Sequence, residues 1–145
     1  MSPRRDILLD TGPLVAVLDA SDAAHQTCVA TLQTHITRLV TSEAVVTESC
    51  HLVARGGAAA HVPLDALLSG GIPILALDTA GHRQAARFMA RYADLPMDYA
   101  DATLLVLAEV LDMTTVFTLD VRGFSVFRRA SGEVLTVLPV GGARG

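Results

Sequence analysis

The sequence has no lysine: all 11 basic residues are arginine, set against 15 acids, for a formal net charge of -4. A protein that grips nucleic acid by bulk electrostatics gains affinity with each phosphate it neutralises. An acidic chain excludes that mode, so any nucleic-acid contact has to be local. Arginine suits bidentate phosphate recognition, although a codon-composition bias accounts for the missing lysine more simply. Cysteine is scarce as well: Cys28 and Cys50 both fall in apolar helical patterns, which predicts reduced core residues. No apolar run approaches the roughly 18 residues that a membrane helix needs. The basic start "MSPRRDILLD" is cut off at Asp10 before it forms the apolar centre of a signal peptide. These absences predict a cytoplasmic, soluble protein with no membrane association. Repeats, low-complexity tracts and long linkers are also lacking. At 145 residues and 51% hydrophobic, the chain suffices for one domain with a substantial core and is too short for two. The expected boundaries are a single domain over 1–140 and a flexible tail, "GGARG", over 141–145.

What the chain does have is an alternation of short β-rich runs and longer helical ones. "DILLD" (6–10) reads as a buried strand, followed by a helical stretch from Pro13. "AAHQTCVATLQTH" reads as a second helix. "RLVTS" (38–42) is a strand whose Ser42 can cap the helix "EAVVTESCHLVAR". After a short helix around "LDALLS", "IPILALD" (72–78) is a third strand, and Thr79 is placed to cap "AGHRQAARFMARYA". "DYADATLLVLAEVL" is a nearly all-apolar helix, and "TVFTLD" (115–120) and "VLTVLP" (134–139) supply two more strands. Apolar strands separated by helices predict an α/β fold, a three-layer α/β/α sandwich around a parallel five-stranded sheet. Ligands in such sheets bind beyond the carboxyl ends of the strands. Asp10 sits there.

Other acids fall into related places. At about 100° per residue, Glu48 lies beside the direction of Val45 and Leu52, so it borders the buried face of its helix. Leu104, Leu105 and Ala108 surround the direction of Asp101, so that carboxylate points where the core side chains point. Asp120 closes the strand "TVFTLD" as Asp10 closes the first. Each has a bland reading: an Asx-turn before Gly12 for Asp10, a surface role for Glu48, a cap and its partner for Asp98 and Asp101, a turn start for Asp120. Buried carboxylates together repel and raise one another's pKa values, and a multivalent cation reverses that penalty. An all-oxygen donor set selects Mg²⁺ or Mn²⁺ over zinc, and such an ion activates water for attack on phosphorus.

"ILLDTGPLVAVLD", "TSEAVVTES", "MDYADATLLVLAE" and "FTLDVRGFSVFR" resemble, in order across residues 7 to 128, the four acidic motifs of PIN-domain ribonucleases, in particular the VapC-type toxins. The resemblance implies a five-stranded parallel sheet between helices and acids that bind one or two Mg²⁺ or Mn²⁺ ions to hydrolyse RNA. By motif, Asp10, Glu48, Asp101 and Asp120 form the implied ligand set. Asp98, three residues before Asp101, is left open between metal ligand and helix cap. Thr11 and Thr118 match supporting hydroxyl positions. Arg122, Arg128 and Arg129, just past Asp120, are candidates for phosphate contacts, with surface solvation as the plain alternative. His25 falls in the family's early acidic and His region, where a surface helix role is the simpler account. The other histidines, His35, His51, His61 and His82, match nothing in the pattern. The implied partners are an RNA substrate, a cognate antitoxin and a second copy in a homodimer.

Three alternatives compete. A PIN-like module can bind RNA or protein without cleaving. "LLDTG" also spells the active-site loop of aspartic proteases, whose fold is nearly all β. Haloacid-dehalogenase-like phosphatases want a second Asp two residues after the first, where this chain has Gly12.

Overall fold

The computed structural model describes residues 4–139; the tail expected over 141–145 lies outside them. β1 (Ile7–Leu9) leads into α1 (Thr11–Val17) and α2 (His25–His35), and a 3₁₀ turn over Ile36–Arg38 enters β2 (Leu39–Ser42). Then follow α3 (Glu43–Arg55), α4 (Val62–Ser69), β3 (Ile74–Leu75), α5 (Thr79–Arg91), α6 (Tyr99–Val110), β4 (Thr115–Phe117), α7 (Val121–Phe124) and β5 (Thr136–Leu138). The strands form one parallel sheet in the order β3-β2-β1-β4-β5. This bears out the α/β expectation and rules out the nearly all-β protease architecture.

The first two crossovers run from β1 outward to β3, and the third returns past β1 to β4. Parallel crossovers are right-handed, so reversing direction moves the connecting helices to the opposite face. The packing agrees: α1 lies against α2 and α3, α3 against α4, and α5 against α6. Ile7, Leu8 and Leu9 are fully buried because β1 is central and covered on both faces. Residues 102–108 of α6 are all buried, the expected consequence of a helix that is apolar all round. The strand order reverses between β1 and β4, so the crevice beyond their carboxyl ends is a topological switch point.

Several boundaries differ from the sequence reading. The strands have two to four residues, because the apolar pattern continues into strand ends where the ladder has already stopped. The cap of α5 is Asp78, whose carboxylate accepts from Gly81 N at 2.7 Å, rather than Thr79. Helix α1 begins at Thr11, two residues before Pro13, with Asp10 as its cap. The turn "DVRG" is the short helix α7. Cys28 is buried as expected, whereas Cys50 is only half-buried; both are free thiols. Among the described residues no helix is long and apolar enough to cross a membrane.

Candidate active site

Asp10 follows β1 directly and is 6% exposed. Its backbone N–H donates to Phe117 O at 2.9 Å, which extends the β1–β4 pairing to the residue itself. One carboxylate oxygen accepts from Thr11 N at 2.8 Å, the cap of α1, and the other accepts from Thr118 Oγ1 at 2.7 Å. The Thr118 hydroxyl in turn accepts from Asp120 N at 2.9 Å. One buried threonine beyond β4 thus ties the two acidic strand ends together across the switch point. From β2, Thr41 Oγ1 donates to Leu9 O at 2.7 Å, and Ser42 Oγ lies 2.8 Å from Thr103 Oγ1 of α6. The edge that carries the acids is therefore fixed by hydroxyls from three elements.

Asp98 caps α6 by accepting from Asp101 N at 2.8 Å, while Asp101 reaches back to Asp98 N at 3.3 Å. The pair is a capping box, so the structural reading of this pair is correct as far as it goes. It does not exhaust their role, because Asp98 and Asp101 also lie in the field of other acids. Burial pushes Asp10 up to about 6, with the charges of Asp98 and Glu48 acting in the same direction and the Thr118 and Thr11 hydrogen bonds opposing. Asp101 is pushed up to about 8 by burial first, then by the charges of Asp10 and Asp98. Burial also raises Glu48, aided by Asp98 and opposed by the Thr11 side chain. Packing of α3 against α6 makes that coupling possible.

Asp120 stands apart from this group. It is exposed, and its carboxylate accepts from Gly123 N at 3.0 Å to cap α7. A Cβ on Gly123 would collide with that carboxylate, so glycine at this position is what lets the cap form.

Among the described residues no three His, Cys, Asp or Glu side chains converge closely enough to hold one ion. Asp10, Asp98, Asp101 and Asp120 are instead turned to donors on their own helices. The chemistry of the set nevertheless suits a hard cation. The ion pairs among the described residues engage Asp6, Asp65, Glu109 and Asp112, and none of the clustered acids. Thr11 Oγ1 is buried beside Asp10 with no hydrogen-bond partner, although its side chain favours the charged form of Glu48. Uncompensated carboxylates and an orphaned hydroxyl are oxygen donors in need of a positive partner.

Comparison with known proteins follows this geometry. The PIN domain family model matches residues 7–132. The chain belongs to the PIN-domain family. It is 36% identical over 135 residues to Ribonuclease VapC26 of Mycobacterium tuberculosis, covering 92% of this chain and 100% of the relative. Among solved structures, Mycobacterium tuberculosis VapC20, described as a Sarcin-Ricin loop cleaving toxin, superposes with a TM-score of 0.70 at 23% identity, over 76% of this chain and 86% of that one. DNA-bound VapBC from Salmonella typhimurium superposes with a TM-score of 0.64 at 18% identity, over 91% and 97% of the two chains. The chain is thus a VapC-type homologue whose PIN fold extends across nearly all of its length.

The arginines divide. Arg129 is turned into the fold: its side chain is 8% exposed, pairs with Glu109 at 3.1 Å and Asp112 at 3.0 Å and donates to Met113 O, an arrangement that favours a structural role. Arg128 is exposed but donates to Gly132 O at 3.0 Å. Arg122, exposed on α7, lines a cavity of about 160 Å³ with Asp94 and Asp120. His25 joins α2 to α1 through Nδ1, 2.8 Å from Ala16 O, and so serves the fold. Ser42 caps α3 as the sequence suggests, accepting from Val45 N at 3.2 Å. Sequence reasoning passed over Thr103, whose contact with Ser42, 61 residues away, leaves no local signal, and it set aside His51 and His82.

Proposed function

We propose that the chain is a metal-dependent endoribonuclease that hydrolyses RNA phosphodiester bonds, the toxin of a type II toxin–antitoxin pair. The observation that carries this reading is Asp10: a buried carboxylate at the switch point of a PIN fold, in the field of Glu48, Asp98 and Asp101 and with no ion pair among the described residues. Asp10, Glu48 and Asp101 would hold Mg²⁺ or Mn²⁺, with Asp98 and Asp120 at the margin as ligands or as holders of ligating water. When bound, such an ion activates water and offsets charge on the phosphate. Asp10 and Asp101 would each have to lose its proton to act as a ligand, which their raised pKa values resist at mildly acid pH. Thr118 orients Asp10 by occupying one of its oxygens, and Arg122, exposed on α7, would meet a phosphate. RNA would be selected through its shape and 2′-hydroxyls.

Solved structures described as VapBC complexes support an antitoxin partner, and its tail would mask the acidic cluster. We further propose a homodimer, one domain over 1–140, and action in the cytoplasm. Because no three acids converge, the competing reading is a PIN-like module that binds RNA or protein without cutting. An RNA cleavage assay with purified chain separates the two. Cleavage that requires Mg²⁺ or Mn²⁺ and falls at least ~100-fold in Asp10→Ala and Asp101→Ala supports the nuclease. No cleavage of total RNA under either ion, with the chain folded, rejects it.

A further inference from the structure

Tyr99 is an exposed aromatic ring beside the acidic cluster. The chain has four Phe and two Tyr. Phe88, Phe117, Phe124 and Phe127 are buried, and Tyr92 is half-buried with its hydroxyl accepting from Arg128 N at 3.0 Å. Tyr99, by contrast, is 43% exposed at the first position of α6, immediately after Asp98. It forms part of the wall of a cavity of about 480 Å³ that also includes Glu48, Asp98, Ala44, Thr47 and His51. A second cavity of about 260 Å³ shares Ala44, Thr47 and Tyr99 and continues to His82, Glu43 and Ser42. The two cavities adjoin at Ala44, Thr47 and Tyr99, which line both, and with Glu48 and Asp98 in the wall of the larger one they form a groove next to the acids. His82 approaches the ring with its centroid 6.4 Å away and tilted by 46°.

We propose that this groove is a nucleobase subsite, in which the base next to the scissile phosphate stacks on Tyr99 with His82 beside it. The lining argues for a base and not a phosphate: apart from the two histidines it contains no residue able to carry positive charge, and Glu43, Glu48 and Asp98 would repel an anion. A base offers an uncharged face for stacking and amino groups that carboxylates accept. Position argues the same way, since Glu48 and Asp98 belong both to the groove wall and to the acidic cluster. A phosphate held by a cation at Asp10 and Asp101 would lie next to these shared walls, with its neighbouring base beside Tyr99. This refines the proposed nuclease by naming what fixes the RNA, and it rests on that reading only for the identity of the polymer.

The test uses the full chain and hexaribonucleotides that each carry one 2-aminopurine, in Ca²⁺, a hard ion that takes the same carboxylate oxygens without the strict geometry of Mg²⁺, so that every proposed ligand is kept and cleavage is slow. Stacking quenches 2-aminopurine. The expected result is quenching in the unsubstituted protein and in Tyr99→Phe, and its loss in Tyr99→Ala. Ala44→Phe, which narrows both cavities from the α3 side, should abolish it too. With Mg²⁺ in place of Ca²⁺, Tyr99→Ala should raise KM at least ~5-fold with kcat largely kept, and Tyr99→Phe should restore it. Absence of quenching with every oligonucleotide, or quenching that survives both Tyr99→Ala and Ala44→Phe, overturns the proposal. If RNA is cut but the quench ignores these substitutions, the subsite fails and the nuclease stands. If the quench behaves as expected but no RNA is cut under any divalent ion, the nuclease fails and the subsite stands.

Discussion

Replacing Asp10 by Asn tests the site through folding stability. In the ion-free protein Asp10 titrates near 6, against a reference value of 3.8, because burial disfavours its charge. A carboxyl whose folded pKa is raised contributes stability that is fully present below the unfolded pKa and lost as pH rises through the folded one. The shift of about 2 units corresponds to roughly 3 kcal/mol in total. About 2 kcal/mol of this falls between about pH 4.5 and about pH 7.5. Asp101, with its pKa near 8, adds a loss of the same sign that extends to higher pH, discounted for its partial exposure and its dependence on the Asp10 charge. Asn keeps the capping acceptor for Thr11 N–H and removes the charge, but takes away the oxygen that accepts from Thr118 Oγ1, a cost of about 1 kcal/mol that does not vary with pH. Urea unfolding in EDTA should therefore show wild-type stability falling across that window by about 2 kcal/mol more than Asp10→Asn, so that the wild type loses ground to the variant toward neutrality. Adding Mg²⁺ should stabilise the wild type and leave the variant nearly unmoved. Parallel pH profiles for the two proteins would refute the idea that Asp10 is an uncompensated buried charge.

Other substitutions separate roles that share one residue. Asp98→Asn retains an N-cap acceptor but not the charge, so melting should barely change while metal-dependent cleavage falls at least ~10-fold; unchanged cleavage would make Asp98 a cap alone. Thr118→Val removes the donor to Asp10 and leaves Asp120 N–H without its acceptor. It should cost about 1–3 kcal/mol and move the acid limb of the cleavage pH profile upward, checked by denaturant titration and rate measurements. Arg129→Ala should cost about 1–3 kcal/mol, because it removes the bonds of a buried guanidinium to Glu109, Asp112 and Met113 O, yet leave KM for RNA unchanged in folded protein. A raised KM would return Arg129 to the substrate site.

The legible part of the molecule was its chemistry-bearing skeleton. The period switches between strand and helix showed where β1 and β4 end, and an acid directly after an apolar strand was enough to draw attention to Asp10. Helical spacing placed Asp101 against the core side because Leu104, Leu105 and Ala108 mark that direction whatever the helix packs on. Legibility failed where one local pattern serves two ends. Asp98 and Asp101 satisfy the spacing of a capping box, and the box forms, so the pattern carried no information about the charges that also act on them. It failed again where burial depends on distant partners. Arg129 reads as an exposed arginine in a turn, and only Glu109 and Asp112, at 20 and 17 residues' separation, turn it inward. Likewise His51, His82 and Tyr99 come from α3, α5 and α6, and their shared groove exists only once those helices are packed.

Capping and catalysis compete for the same oxygens at this edge of the sheet. A helix start that follows a strand's carboxyl end presents unpaired N–H groups to the crevice, and a carboxylate is an effective partner for them. Asp10 and Asp120 take that position after β1 and β4, and Asp98 does the same for α6, which follows α5. The N–H donors fix each side chain in one rotamer, which lowers the entropy lost when it later binds something, but a single N–H neutralises little of a buried negative charge. What remains is visible as the raised pKa values of Asp10 and Asp101. The fold therefore positions the acids by local hydrogen bonds whose strength is independent of any ligand, and leaves their mutual repulsion unresolved. A positive partner that enters the crevice meets ligands already oriented and offsets part of the cost of their burial and repulsion, so affinity for cations should rise across the pH range in which Asp10 and then Asp101 ionise.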